Sequence, residues 1–279
     1  MAGTIADSSP AALIEQLGDV WDTLLSLGAG LSDDEWSRPT SCPGWPVAAH
    51  YAHVVGTESM LLGRPEPDAE AGRPDHVRND IGAFNERWVV ALAGEPREAV
   101  LERLAEVATA RKQALSAMGE GDFVAPSWTP VGEAPYSRFM QIRVFDCWVH
   151  EQDVRDAAGR PPREVGPAAE QSFDEMVRAL GYLVGKKAAA PDGSSVTIDL
   201  TGPVRRRLHV AVAGGRGRVV DALDGPATAT LTLSSTAFAR VGCGRVEPSA
   251  VLGGALGGVS LAGDTDLGRR VVTSLPFTI

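Results

Sequence analysis

Apolar residues in the first half of the chain recur at helical spacing. A typical cap and first-turn proline, Ser9-Pro10, precede Leu, Val and Trp side chains placed every three or four residues. Similar patterns predict five main helices, which begin near residues 10, 45, 81, 96 and 137. Stretches rich in Pro and Gly at 65–75 and 127–135 are predicted to be loops. Long amphipathic helices joined by loops indicate a bundle of four main helices.

The pattern changes in the second half. One more helix is predicted from Ala168 to about Ala189, after the Gly- and Pro-rich segment 159–167. Four short runs of alternating or apolar residues then predict β-strands: "SSVTIDLTG", "RLHVAVAG", "GRVVDAL" and "ATATLTLSS". Short helices are predicted at "STAFARVGCG" and "DTDLGRRVVTSL", on either side of "GVSLAGD". We therefore expect an α + α/β protein, with a helical bundle over 1–162 and a small α/β domain over 163–279.

Composition and charge narrow the range of functions. The 279 residues are 44% hydrophobic and 22% charged, which is ordinary for a globular protein. Residues 1–160 contain 13 Lys/Arg against 25 Asp/Glu, and such an acidic half argues against a nucleic-acid partner. The three cysteines are far apart and odd in number, so they imply no disulfide framework. With neither a signal peptide nor a long apolar run, we expect a soluble cytoplasmic protein with no membrane partner.

One apolar stretch, "VFDCWVHEQDVR" (144–155), contains several groups that ionise or bind metal. On a helix, Arg143, Asp146, His150 and Asp153 share one face, because they recur at spacings of three and four. Asp146 and His150 can therefore direct a carboxylate oxygen and an imidazole nitrogen at one point, as metal-binding helices commonly do. The alternative is that His150 is an ordinary buried histidine and Asp146 pairs with Arg143. Cys147 lies beside this face and is expected to pack in the core.

A second helix offers a third ligand. The segment "CPGWPVAAHYAHV" (42–54) places His50 and His53 on adjacent turns. A facing helix in a bundle lies close enough to complete a metal site, and three protein ligands with an open position are typical of a reactive metal. We expect one of these two histidines to lie inside and the other, His50, to be exposed.

These two motifs together resemble the DinB-like, mycothiol-dependent maleylpyruvate isomerase family of actinobacteria. The likeness covers residues 10–160 and includes "DHVRNDIGAFNERWV" (75–89), which is similar to the middle segment of the family. It implies a DinB-like four-helix bundle with a metal bound by His53, which lies nine residues after Gly44, and by Asp146 and His150. The family often has Glu where this chain has Asp146, a difference that can alter geometry or metal preference.

The second half resembles the sterol-carrier-protein-like domain that is often appended to this family. Its closing segment is similar to "GVSLAGDTDLGRRV" (258–271). In some relatives an arginine of this domain reaches the active site, and Arg269 and Arg270 are candidates for that role here.

The resemblance implies a metal- and mycothiol-dependent transferase or isomerase that acts on a small electrophile, as in the conversion of maleylpyruvate to fumarylpyruvate. Zinc is the expected ion, although nickel, iron and manganese also suit a site of two histidines and a carboxylate. Arg143 and Asp153 are predicted to support catalysis by orienting the ligands. Asn79, Asn85 and Arg155 are predicted to line a polar mouth that binds the thiol cofactor.

Two further functions remain open at this point. The same three ligands would serve a hydrolase that activates water at the metal. A small-molecule-binding or regulatory protein without activity is the other alternative, because a fold does not fix a function.

Overall fold

The computed structural model describes residues 6–278, which divide into two compact units. One unit covers Asp7–Arg163, and the other comprises the described residues from Glu164 onwards together with Ala6. The division falls next to residue 162, where the sequence predicts a domain boundary. No helix in the described part of the chain is long and apolar enough to cross a bilayer.

The first unit is built from helices. They are α1 (Pro10–Ala29), α2 (Asp33–Trp36), α3 (Val47–Leu61), α4 (Asp80–Leu92), α5 (Arg97–Ser116), α6 (Glu120–Val124) and α7 (Tyr136–Ala157). The four long helices α1, α3, α5 and α7 pack against one another, and α4 lies on α3. The predicted helical architecture is confirmed, while the short helices α2 and α6 were not predicted.

A β-hairpin joins α6 to α7, where the sequence predicts a loop. Its strands are β1 (Pro126–Thr129) and β2 (Gly132–Pro135), which pair antiparallel. Gly132 has a φ of +101°, a conformation that favours glycine, and its carbonyl accepts the Thr129 hydroxyl at 2.6 Å. The loop prediction was wrong because the turn from Thr129 to Gly132 is short enough to let the two four-residue strands pair.

Helix α3 is the most buried of the long helices and determines where the site lies. Nearly all residues from Val47 to Ser59 are buried, on every side of the helix. At Gly56 a Cβ atom would lie 2.4 Å from the Trp88 ring, so the glycine lets α4 approach α3 closely. Because α3 lacks a solvent-facing stripe over most of its length, its polar side chains must find partners inside the unit.

The second unit is a mixed sheet with helices. Its strands are β3 (Ser195–Thr201), β4 (Arg206–Ala213), β5 (Arg216–Val220), β6 (Ala229–Ser234) and β7 (Val259–Gly263), in the order β5-β4-β3-β6-β7. Strands β3 and β6 pair in parallel, and the other neighbours pair antiparallel. The helices are α8 (Pro167–Tyr182), which continues as a π-helical turn over Leu183–Lys187, α9 (Ser235–Gly242), α10 (Pro248–Leu252) and α11 (Thr265–Ser274), with a 3₁₀ turn at Ala255–Gly257.

Glycines bring the end of α8 against β5. A Cβ atom at Gly185 would lie 2.2 Å from the Gly217 nitrogen, so only glycine permits this backbone contact. The predicted α/β character of this half is confirmed, and each of the four predicted strand segments contains a strand. Its likeness to sterol carrier proteins stays a prediction.

Candidate metal site

Helices α3 and α7 bring together the three residues that the sequence predicts to bind metal. His53 Nε2 lies 2.9 Å from Asp146 Oδ2, and His150 Nε2 lies 3.5 Å from Asp146 Oδ1. One ligand atom from each of the three side chains lies within 4.8 Å of the other two. Two helices that are about 90 residues apart in the chain thus contribute to one cluster.

The donors of this cluster fit a divalent ion. Two imidazole nitrogens and one carboxylate oxygen are ligands that zinc and similar metals take. The Asp146 side chain is 29% exposed, whereas the side chains of His53 and His150 are 5% and 8% exposed. Solvent therefore reaches the cluster on the side of the carboxylate, as a site with an open coordination position requires.

Trp45 packs beside the imidazoles at the start of α3. Its ring lies 5.4 Å from that of His53 and 5.7 Å from that of His150, measured between centroids. The indole nitrogen donates to Glu86 Oε2 at 3.1 Å, which holds the ring in this place. Gly44 precedes it with a φ of +78°, and a Cβ atom there would lie 2.5 Å from the His76 ring. The glycine thus permits the tight turn that directs Trp45 towards the histidines.

His50 is completely buried, so the expectation that it is exposed was wrong. Its Nδ1 lies 2.8 Å from His150 Nδ1, and its Nε2 lies 2.9 Å from Thr40 Oγ1. The physical reason is the burial of α3 on all sides, which places a residue one turn before His53 inside as well. The pattern of apolar residues did not predict this position, although the unusual pair of histidines in an apolar segment was a signal for it.

Arg143 joins the cluster to a buried glutamate. Its Nε and Nη2 donate to Glu58 Oε1 at 2.9 and 2.8 Å, and its Nη1 donates to Asp146 Oδ2. Arg111 Nε donates to the other oxygen of Glu58 at 2.9 Å. The pairing of Arg143 with Asp146, first considered as the alternative to metal binding, thus coexists with the convergence of the two histidines. Glu58 was not predicted to belong to the site. The only indication of it in the sequence was an acidic residue within the apolar run "VVGTESML".

Burial and the neighbouring charges shift the pKa values of the three candidate ligands. Burial lowers the pKa of His53, so this imidazole is neutral near pH 7. Burial would raise the pKa of Asp146, but His53 and Arg143 hold it well below its usual value. Burial also opposes charge on His150, yet Asp146 and Asp153 raise its pKa. An ionised carboxylate and a neutral imidazole are thus in place before any ion binds.

Asp153 lies on the other side of the His150 ring from Asp146. Its Oδ2 is 3.4 Å from His150 Nδ1 and 3.9 Å from His50 Nδ1. This position suits a residue that orients His150, and the predicted catalytic support by Asp153 and Arg143 stays a prediction.

The residues predicted to bind the cofactor have other contacts in the structure. Asn79 is the N-cap residue of α4, where its Oδ1 accepts the Gly82 N–H at 2.8 Å. Arg155 Nε donates to Glu151 Oε1 at 2.6 Å, and the side chain lines a cleft with residues of α1. Asn85 is partly buried on α4. Capping and ion pairing therefore account for Asn79 and Arg155, and cofactor binding by the three residues stays a prediction.

Cys147 is buried next to the cluster on α7. Arg143 Nη2 lies 3.2 Å from its sulfur, and burial raises the pKa of the thiol. A thiol that stays protonated is a poor nucleophile and a poor metal ligand, which agrees with the packing role that the sequence predicts.

Two family models match this chain. The model described as "Mycothiol maleylpyruvate isomerase N-terminal domain" matches residues 17–155, and "MDMPI C-terminal domain" matches residues 170–270. Together they span both structural units. An uncharacterised protein from Mycobacterium tuberculosis strain H37Rv is 25% identical over 203 residues, which cover 70% of this chain and 75% of the relative. Its counterpart in strain CDC 1551 / Oshkosh has the same identity and coverage.

Two solved structures are similar to the whole chain. A crystal structure of the mycothiol-dependent maleylpyruvate isomerase has a TM-score of 0.52 at 14% identity, and covers 91% of this chain and 92% of its own. A histidine-to-alanine mutant of the mycothiol-dependent maleylpyruvate isomerase gives a TM-score of 0.55 at 12% identity, with the same coverage. At sequence identities this low, the similarity shows only that the folds are alike.

Proposed function

The chain belongs to the mycothiol-dependent maleylpyruvate isomerase family, and from this premise we propose that it is a metal- and thiol-dependent enzyme. The proposed reaction is the isomerisation of a small electrophile such as maleylpyruvate, or transfer of the thiol to a related electrophile. The observation that carries the proposal is the convergence of His53, Asp146 and His150 at an edge that solvent reaches.

These three residues would hold a divalent ion, with zinc as the first expectation. When bound, the ion would supply positive charge that lowers the pKa of a coordinated thiol, and mycothiol is the thiol proposed.

The other residues of the site position these ligands. Arg143 donates to Glu58 through Nε and Nη2 and to Asp146 through Nη1, so its guanidinium fixes the orientation of the carboxylate. The buried Glu58 keeps Arg143 in place. Trp45 packs against the imidazoles of His53 and His150. These contacts leave the solvent-reached side near Asp146 for the thiol and the electrophile.

The test is turnover by the zinc-loaded protein with mycothiol and maleylpyruvate, followed by the appearance of fumarylpyruvate. We expect a rate that saturates with the thiol. We also expect His53→Ala to lower it by more than the ~100-fold that loss of an outer-shell partner costs. The matched control is His209→Ala, which removes a histidine on β4 that contacts Thr197.

Three outcomes would contradict the proposal. Turnover that is independent of the thiol would favour the hydrolase that activates water with the same ligands. A zinc-loaded protein without turnover on maleylpyruvate or related electrophiles would favour a binding or regulatory protein. Equal losses in His53→Ala and His209→Ala would show that the cluster has no specific part in the reaction.

A further inference from the structure

The imidazole of His150 faces different groups through its two nitrogens. Nε2 faces Asp146, on the side of the proposed metal, and Nδ1 lies 2.8 Å from His50 Nδ1. A neutral imidazole that binds a metal through one nitrogen carries its hydrogen on the other. Whatever faces Nδ1 therefore decides whether the lone pair of Nε2 is available.

The hydrogen between the two imidazoles can be placed by following the chain of contacts to its end. His50 Nε2 lies 2.9 Å from Thr40 Oγ1, and this hydroxyl lies 2.9 Å from the carbonyl oxygen of Trp45. A carbonyl oxygen only accepts, so the single hydroxyl hydrogen of Thr40 belongs to the contact with Trp45. His50 Nε2 must then donate to Thr40, and His50 Nδ1 accepts from His150 Nδ1.

Two further contacts support this direction. The Cys42 N–H donates to Thr40 Oγ1 at 3.1 Å, which orients the hydroxyl from the backbone. The Asp153 carboxylate, 3.4 Å from His150 Nδ1, favours a hydrogen on that nitrogen. The reverse direction would leave the oxygens of Thr40 and Trp45 2.9 Å apart with no hydrogen between them.

We propose that Thr40 and His50 are positioning residues, which keep a hydrogen on His150 Nδ1 and so present the Nε2 lone pair to the metal. We call the series of hydrogen bonds from the Trp45 carbonyl through Thr40 and His50 to His150 the relay. This inference rests on the proposed metal site. It extends the site to a loop residue and to a second histidine of α3, one turn before His53.

His53 lacks a comparable support. Its Nδ1 is buried and has no hydrogen-bond partner among the described residues. The two proposed histidine ligands therefore differ in how firmly they are oriented. The relay orients His150 through Nδ1, whereas no contact at Nδ1 orients His53 in the described part of the chain. We expect His150 to be the anchored ligand and His53 the adjustable one.

The direct test is the position of the imidazole hydrogens in the full chain labelled with ¹⁵N-histidine. Long-range ¹H–¹⁵N spectra distinguish a protonated ring nitrogen from a bare one. In metal-free protein we expect the hydrogen of His50 on Nε2 and a hydrogen on His150 Nδ1. After zinc is added, both should remain while His150 Nε2 shows the shift of a metal-bound nitrogen. A hydrogen on His50 Nδ1 would overturn the relay.

The functional test is zinc affinity, measured by competition with a chelator. We expect Thr40→Val to weaken zinc binding about 10- to 100-fold, as loss of outer-shell partners does, and Thr40→Ser to restore it. Thr109→Val is the control, because that hydroxyl bonds the Ala105 carbonyl in its own helix. Wild-type affinity in Thr40→Val would overturn the proposal.

A second pair of variants covers the case in which Thr40→Val does not fold. Glutamine at position 50 still offers an amide oxygen that accepts and an amide nitrogen that donates, so His50→Gln should keep more zinc affinity than His50→Leu. Equal affinities in these two variants would overturn the relay.

The failure of the relay can be told from failure of the metal site. Wild-type protein that binds zinc with the hydrogen on His50 Nδ1 would overturn the relay alone. Protein that has the expected hydrogens but binds no zinc would overturn the metal site, and with it the relay as a device that positions a ligand.

Discussion

Helix α7 carries buried charge on two sides, and the two sides are used differently. On one side, Asp146 and His150 meet His53 and Arg143 at an edge that solvent reaches. On the other side, the Glu151 carboxylate accepts from Arg155 Nε at 2.6 Å and from Arg163 Nη2 at 2.7 Å. Glu151 is completely buried, and both of its oxygens accept from a guanidinium.

The difference shows that buried charge alone does not mark a site. An acid whose oxygens are fully occupied by arginines stabilises the fold but has nothing to offer a ligand. The Asp146 cluster has nitrogens and oxygens that converge on one point, and the pKa values of its two histidines are shifted in opposite directions. We therefore assign the Glu151 side of α7 to stability of the fold and the Asp146 side to chemistry.

The largest effect is expected from Glu151→Ala, on stability. Two arginines that are only 18% and 20% exposed lose their buried partner, so the free energy of unfolding should fall by about 3 to 5 kcal/mol. Zinc affinity of the folded protein should not change. Urea unfolding checks this, with the exposed Glu102→Ala of α5 as the control, expected within about 0.5 kcal/mol of wild type. A loss below about 1 kcal/mol would refute the structural role.

Asp146→Asn should affect zinc affinity more than it affects stability, in contrast to Glu151→Ala. Loss of the anionic ligand should weaken zinc binding by about 100-fold or more, which corresponds to about 2.7 kcal/mol. Metal-free stability should change less than in Glu151→Ala. Asp156→Asn, an exposed acid on the same helix, is the matched control for a chelator competition. Similar affinities in the two variants would contradict the account.

The pKa shifts predict how zinc binding depends on pH. Asp146 is already ionised near pH 7 and His53 already neutral, whereas the raised pKa of His150 leaves a proton to be displaced. Zinc binding should therefore displace a proton wherever the His150 imidazole is charged, and affinity should fall as the pH is lowered through its raised pKa. Calorimetry in two buffers of different ionisation enthalpy measures the proton count. Proton release that does not increase as the pH is lowered would contradict the assignment.

The smallest effect is expected from Arg155→Ala. Arg163 still pairs with both oxygens of Glu151, so the free energy of unfolding should fall by only about 1 kcal/mol. The KM for the thiol should not change, because Arg155 lies on the structural side of α7. A several-fold rise in that KM at unchanged stability would instead support the predicted cofactor role of Arg155.

The features that depend on the local pattern of apolar and polar residues could be predicted from the sequence. Helical spacing predicts the apolar side of α1, with Leu13, Leu17 and Leu24 all buried, and alternation predicts the strands of the second unit. Spacing also places Asp146 and His150 on one face of α7, which the structure shows them to share.

What the sequence could not predict depends on distant partners. Periodicity shows which side of a helix is buried, but it cannot rank residues on a helix buried on all sides, so His50 was misplaced. The contacts of His50 with Thr40, and of Glu58 with Arg111 and Arg143, join segments whose approach is set by packing. The choice of His53 as the ligand came from family resemblance, since the pattern alone left both histidines open.

The most direct measurement is the metal content of purified protein by mass spectrometry, after zinc is offered and the excess is dialysed away. We expect about one ion per chain in wild type and in Glu151→Gln, and almost none in His53→Ala. Wild-type protein without stoichiometric metal, or His53→Ala that retains it, would contradict the claim that α3 and α7 form a metal site.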